Sequence, residues 1–246
     1  MDARFQEIRS KNVLLSETIA KLMDSGFVTI PGPYSSMRLQ GLTADYDDVM
    51  ASSPGPDFKV GGTTDRLSGL LNYSSLFDDL FLFPPLLEAS AHVVGEPFKL
   101  SSLLARTLRP GTPAQDLHTD LARDSEDAPL AGFILMLDSF RRENGATRFV
   151  PESHRWPDVP SKGMTDRRDT WPGEVLASGA AGTLIVFNAS IWHGHTANIT
   201  EHPRRSVQGY FVRRSTQSGS DFANCLLPST RSRMSQLAQY LLSFRD

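Results

Sequence analysis

From Leu100 onward the chain is a succession of short apolar runs, none longer than a strand, divided by turn residues. The runs are Leu100–Leu108, Gly132–Leu137, Thr147–Val150, Glu174–Leu176, Thr183–Phe187, Ile191–Thr196 and Ser206–Val212. Pro110-Gly111, Asn144-Gly145 and Gly182 punctuate them. Strand-length runs at this spacing predict about eight antiparallel strands, arranged as a β barrel or a double-sheet jelly roll. The segment Pro157–Pro172 is polar and reads as a loop over one end of it.

The first hundred residues read as mostly helical. Ser16 is placed to cap a helix through about Asp24, with Ile19, Leu22 and Met23 on its apolar side and Gly26 ending it. Phe27–Ile30 looks like a short strand stopped by Pro31-Gly32-Pro33. Ser35 or Ser36 could cap a second helix carrying Met37, Leu39 and Leu42 toward Met50. Ala51–Thr64 reads as a loop. Two helical pieces are expected around Tyr73–Phe81 and Pro85–Val94, the second with prolines at its start and Gly95 after its end. Near the C-terminus Met234, Leu237, Tyr240, Leu241 and Phe244 recur at helical spacing, which predicts a closing amphipathic helix. The expectation is one domain over 1–246: helical support to residue 99, a β-barrel core over 100–214, and a helical segment over 215–246.

Composition narrows the chemistry. The 246 residues hold 25 Lys plus Arg against 28 Asp plus Glu, for a net charge of -3, and no basic block appears. A nucleic-acid partner therefore has no electrostatic support, and an anionic membrane surface little. No apolar run approaches the ~20 residues of a membrane span. The charged stretch Met1–Lys11 lacks a secretory signal core. The single cysteine, Cys225, can form no intrachain disulfide and excludes Cys-based zinc sites, which favours a reducing, cytoplasmic setting. Any metal site must then draw on His92, His118, His154, His193, His195 and His202.

Leu117-His118-Thr119-Asp120 follows a predicted strand. In extended backbone, residues two apart face the same way, so the imidazole and the carboxylate can converge on one cation. Alone the pattern is common, and it needs a third ligand from a distant strand. Ile191-Trp192-His193-Gly194-His195 offers one, in either histidine, since the two share a strand face. Two histidines and a carboxylate form the facial triad of non-haem iron(II) oxygenases, which leaves three positions open for a bidentate oxo-acid and dioxygen.

These motifs, with Asn144-Gly145-Ala146-Thr147-Arg148-Phe149-Val150-Pro151-Glu152-Ser153-His154 between them and Arg204 after them, resemble the phytanoyl-CoA dioxygenase family. Gly26-Phe27-Val28 also matches the family's opening, so the resemblance covers most of the chain. It implies an iron(II)- and 2-oxoglutarate-dependent oxygenase on a double-stranded β-helix that spends dioxygen and releases succinate and carbon dioxide. By the same resemblance His118, Asp120 and His193 are the iron ligands. Arg204, eleven positions beyond His193, pairs with the distal carboxylate of 2-oxoglutarate, a task suited to a guanidinium fork. Ser206 could add a hydroxyl donor, Gln115 and Thr147 match cosubstrate contacts, and Arg66 matches a basic residue that some members place over the site. A carboxylate at Asp120 implies hydroxylation or another oxidation in place of halogenation. Glu152 departs from the family's usual glycine, and His195 from a small residue beside 2-oxoglutarate. The substrate expected is a small organic molecule, a natural-product intermediate. No cluster of Lys and Arg suits a CoA diphosphate.

Blander readings stand beside these. His154 fits a structural hydrogen bond, His92 a packed helix position and His202 a solvated loop. Arg205, Arg213 and Arg214 fit outward strand faces, and Trp156, Trp171 and Trp192 fit core or pocket wall. A cupin-like metalloenzyme that ignores 2-oxoglutarate, or a non-catalytic metal-binding barrel, would also need this ligand set. Ala51–Thr64, Leu121–Pro129 and Pro157–Pro172 are the candidate lids.

Overall fold

The structure, a computed structural model, describes residues 2–52, 55 and 57–244. Its strands are β1 (Phe27–Pro31), β2 (Phe58–Val60), β3 (Thr64–Leu67), β4 (Phe98–Leu108) and β5 (Ala131–Met136). They continue with β6 (Thr147–Phe149), β7 (Val175–Ala177), β8 (Thr183–Asn188), β9 (His193–His195) and β10 (Arg204–Arg213). A major sheet runs β1-β8-β5-β10-β4-β3-β2, and a minor sheet runs β7-β6-β9. All pairings are antiparallel. This is the expected double-stranded β-helix.

The two faces of the major sheet divide by residue parity, because strand side chains alternate. Ile134 and Met136 of β5 turn inward, packing with Ile185 and Phe187 of β8 and with Phe149 of the minor sheet. Phe133 and Leu135 turn outward beneath the helices. Covered on both sides, β5 is buried at every position. On β10 the even residues Arg204, Ser206, Gln208 and Tyr210 share the inward face. Val207 and Phe211 join the outer core.

The outer layer comprises α1 (Ala3–Arg9), α2 (Ser16–Ser25), α3 (Ser36–Ser52), α4 (Asp78–Phe81) and α5 (Pro84–Val94). Helix α5 starts on prolines and ends on Gly95 at φ 73, as its sequence predicts. Its Glu88 is buried and accepts from the N–H groups of Val13 and Leu14 at 2.8 and 3.0 Å, which ties the link between α1 and α2 to the sheet layer. Helix α2 ends on Gly26 at φ 84, and a Cβ there would lie 2.5 Å from His154 Nδ1. Glycine is required there twice, by backbone conformation and by space.

Several local readings need correction. Beyond the expected strand at β1, the first hundred residues also supply β2 and β3, and so both edges of the major sheet. Leu15, not Ser16, occupies the N-cap of α2, with no side-chain bond. The Tyr73–Phe81 helix is broken into single turns at Leu70–Asn72 and Ser75–Phe77 before α4, as the Ser74 hydroxyl accepts from Leu76 N–H and restarts the backbone. Part of the Ala51–Thr64 loop pairs as β2; residues 53, 54 and 56 lie outside the described ones. A small helix α6 (Pro160–Gly163) interrupts the 157–172 loop. The closing helix is divided into α7 (Phe222–Cys225), α8 (Pro228–Arg233) and α9 (Gln236–Leu241), because Ser235 caps α9 afresh. Its apolar face still packs, through Met234, Ala238 and Leu241. Among the described residues no helix is long and apolar enough to cross a membrane.

Candidate active site

The segment after β4 zips onto β9. His118 and His193 exchange both backbone hydrogen bonds at 2.9 Å, and Gln115 N–H donates to the His195 carbonyl at 2.9 Å. Asp120 N–H bonds Ala189 at 3.0 Å. This pairing sets the two motifs face to face. His118 Nε2 lies 3.5 Å from one Asp120 oxygen and His193 Nε2 3.3 Å from the other. All three ligand atoms lie within 4.8 Å of one another, and His195 is outside the group.

The rings are held for coordination. Nδ1 of His118 meets the Asp116 carbonyl at 3.0 Å, and Nδ1 of His193 meets the Ile191 carbonyl at 3.0 Å. A carbonyl only accepts, so each Nδ1 carries the proton and each Nε2 lone pair faces the cavity. Tyr210 donates to Asp120 Oδ2 at 2.7 Å and fixes the carboxylate. Burial disfavours the charged Asp120, but the facing His193 and His118 outweigh it and hold the carboxyl well below its usual value. Burial likewise works against protonated His193, and Asp120 reverses it, so that its pKa is raised.

Two guanidinium groups open into the same cavity, with Gln115, Thr147 and His195 on its wall. Arg204 is 2 % exposed, lies 4.1 Å from the Phe140 ring centroid, and leaves Nε and Nη1 out of solvent without partners. Burial, then the nearby Arg106 charge, pushes its pKa down to about 9. A buried cation without a counterion is costly, and a bound carboxylate would relieve it. His195 Nδ1 meets the Thr196 carbonyl at 2.8 Å, and burial pushes its pKa down to about 3. The ring is neutral, and its unpartnered Nε2 can only accept.

Two other predicted contacts fall elsewhere. The Ser206 hydroxyl donates to the Arg106 carbonyl and accepts from Gln208, so its proton is already engaged. Arg66 is exposed on β3, with Nε donating to Thr64 Oγ1 at 3.2 Å, outside the cavity wall. Sequence reading also passed over Arg106, Gln208 and Tyr210, which line the cavity. Their signal was parity, since Gln208 and Tyr210 follow Arg204 at even spacing on β10.

Behind the wall, both terminal nitrogens of Arg148 are engaged, and its Nε is buried without a partner. The side chain donates to the carbonyls of Gln115, Arg167 and Asp169 at 2.8–2.9 Å and pairs with buried Glu174 at 3.2 Å. The 157–172 segment is thus pinned at its C-terminal end, and Trp156 and Trp171 pack edge-on against Trp192. Gly194 passes so close that a Cβ would lie 3.0 Å from the Gln115 carbonyl oxygen and 3.2 Å from that of Asp116. Glu152 takes the left-handed conformation, φ 68, which a glycine would adopt freely. His154 Nε2 is 3.2 Å from the Met23 carbonyl, a structural contact.

Known proteins agree with this architecture. The dioxygenase ALT11 of Alternaria alternata is 27% identical, with 99% of this chain and 86% of that one covered. The dioxygenase aneA of Aspergillus aculeatus is 29% identical over 72% of this chain, and the match spans 65% of its own length. HygX from Streptomyces hygroscopicus, solved with nickel and 2-oxoglutarate bound, shares the fold at TM-score 0.69 and 17% identity, covering 83% of this chain and 89% of that one. The non-haem α-ketoglutarate-dependent epimerase SnoN from nogalamycin biosynthesis does so at 0.66 and 20%, covering 80% and 82%. The sequence model described as phytanoyl-CoA dioxygenase matches residues 22–206, three quarters of the length, and the chain belongs to that family.

Proposed function

We propose that the protein is an iron(II)- and 2-oxoglutarate-dependent oxygenase that hydroxylates an unactivated C–H bond of a small organic molecule, an intermediate of secondary metabolism. The observation that carries this reading is the unpartnered Arg204 guanidinium in the cavity that also receives the Nε2 atoms of His118 and His193. The donor set suits a divalent metal, and the buried cation suits a dicarboxylate.

His118, Asp120 and His193 would hold the metal, with Tyr210 and the two Nδ1 contacts orienting them. Arg204 would take the far carboxylate of 2-oxoglutarate, with Gln115 and Thr147 beside it. When bound, iron and 2-oxoglutarate supply the oxidising power, through decarboxylation of the cosubstrate to succinate with dioxygen. Phe187 and Ile134 keep the wall apolar and exclude water. Asp120 fills the third protein position, which favours oxidation over halogenation. The same fold hosts an epimerase, so the pose of the substrate rather than the scaffold decides the product. The likeness in fold to SnoN from nogalamycin biosynthesis supports natural-product metabolism as the setting.

Anaerobic mixing with iron(II) and 2-oxoglutarate should give a visible charge-transfer band, and air should then release succinate. A terpenoid, polyketide and amino-acid-derived panel, followed by mass detection of a one-oxygen gain, identifies the substrate. Absence of both band and succinate overturns the reading.

A further inference from the structure

Lys59, Arg66 and Arg106 form a cross-strand row. Lys59 pairs with Arg66 across β2 and β3, and Arg66 with Arg106 across β3 and β4. Directly opposed residues of an antiparallel pair project from one face, where like charges destabilise the sheet. Arg106 pairs in turn with Ser206 on β10, the strand that carries Arg204, so the row ends inside the cavity. Lys59 and Arg66 are exposed at its outer end. Residues scattered in sequence thus make a basic track that composition does not reveal.

Arg106 is the informative member. Its Nη1 donates to Gln208 Oε1 at 3.2 Å, while Nε and Nη2 are out of solvent and unpartnered. Those two nitrogens form one edge of the guanidinium, the side-on fork that matches both oxygens of a carboxylate. Among the described residues, none of the three cations forms an ion pair with a carboxylate of the chain. In the oxygenase reading the cosubstrate would not supply the missing anion either, since Arg204 would take one of its carboxylates and the metal the other. Arg106 and Arg204 set against Asp120, a divalent ion and a doubly charged 2-oxoglutarate leave one positive charge over.

We propose that Arg106 seats a carboxylate of the substrate, with Arg66 and Lys59 drawing it in, so that the substrate is a small organic acid. The inference rests on the oxygenase reading. Steering by the exposed pair would act on the rate of association, and the buried fork on residence.

The test titrates nickel-substituted protein, saturated with 2-oxoglutarate and unable to turn over, by calorimetry. The probes are decanoate with decanamide and cinnamate with cinnamamide. The acids should bind about tenfold to a hundredfold tighter than the amides, the range for a charge-assisted pair. Arg106→Gln should erase that preference and leave 2-oxoglutarate affinity unchanged. Arg106→Lys, which keeps charge and bulk without the fork, should restore part of it and so separates recognition from folding. Equal binding of acid and amide in every pair overturns the proposal. So does a 2-oxoglutarate loss in Arg106→Gln equal to that of Arg204→Gln, which would give Arg106 to the cosubstrate. Decanoyl-CoA binding tighter than decanoate, undiminished in Arg106→Gln, overturns it as well. Should the native protein fail to bind 2-oxoglutarate, the oxygenase reading falls by itself. The same pairs run without cosubstrate then decide Arg106 alone: an acid preference lost in Arg106→Gln supports the seat, and no preference overturns it.

Discussion

Arg148 and Arg204 are both buried at 2 % exposure, yet the fold treats them in opposite ways. Around Arg148, between the minor sheet and the 157–172 segment, three carbonyls and the Glu174 carboxylate absorb the charge. Around Arg204 the chain offers the face of Phe140, and among the described residues its buried Nε and Nη1 meet no hydrogen-bond acceptor. The fold can therefore match the charge of a buried guanidinium through its two Nη groups, with Nε left unpartnered, and in the cavity it does not. An interior cation left unmatched beside three side chains that could hold a metal marks where a ligand would complete the structure.

Substitutions can break that contrast. The largest effect is expected at the metal end: His118→Ala or Asp120→Ala should abolish iron binding and succinate formation together, as read by metal analysis and product assay. Turnover retained in either variant would remove the triad from the chemistry. Next, Arg148→Leu should cost about 3–5 kcal/mol, because Glu174 is left as an uncompensated buried charge. Denaturant unfolding measures it. Arg204→Leu should leave the stability of the ligand-free protein unchanged or slightly raised, while 2-oxoglutarate affinity falls about tenfold to a hundredfold. Equal destabilisation by the two leucine variants would end the distinction between clamp and receptor.

Smaller effects sharpen the picture away from the cavity. Glu152→Gly should stabilise by about 0.5–1 kcal/mol, as a left-handed residue loses its Cβ strain. An unchanged melting temperature would show that the bond from Glu152 N–H to the Ser25 carbonyl holds the turn without strain. Burial lowers the His154 pKa below its ordinary 6.5. The unfolded chain binds that proton more readily, so this contribution is complete above about 6.5 and is lost as pH falls below it. His154→Gln should flatten the acid limb of the stability curve slightly, and an unaltered limb would remove His154 from it.

The barrel was legible because strand-length runs and turn residues survive in any context, and seven runs reappear as β4 to β10 within a few residues. The His118 and Asp120 pair was legible because the two stand two residues apart, a spacing visible in the sequence itself. What escaped depends on pairing between distant strands. Arg106 reads as an interruption of an apolar run until β3 and β10 flank it. Tyr210 reads as one more strand aromatic until Asp120 meets its hydroxyl. The β2–β3 hairpin and α1 escaped as well, since their sequences are polar and short. The choice between His193 and His195 turned on geometry, because β9 places both on one face and only the first reaches Asp120.

The close approach of Gly194 to the carbonyls of Gln115 and Asp116 has a consequence for how such a protein can diversify. The distance between the two ligand-bearing segments is gauged by main chain against main chain, with no side chain as a spacer. Lining residues such as Ile134 on β5 and Gln208 on β10 can then be exchanged to fit new molecules while that spacing stays fixed. Three candidate ligands held at constant gauge inside a replaceable lining let the shape of the cavity change without moving the site itself.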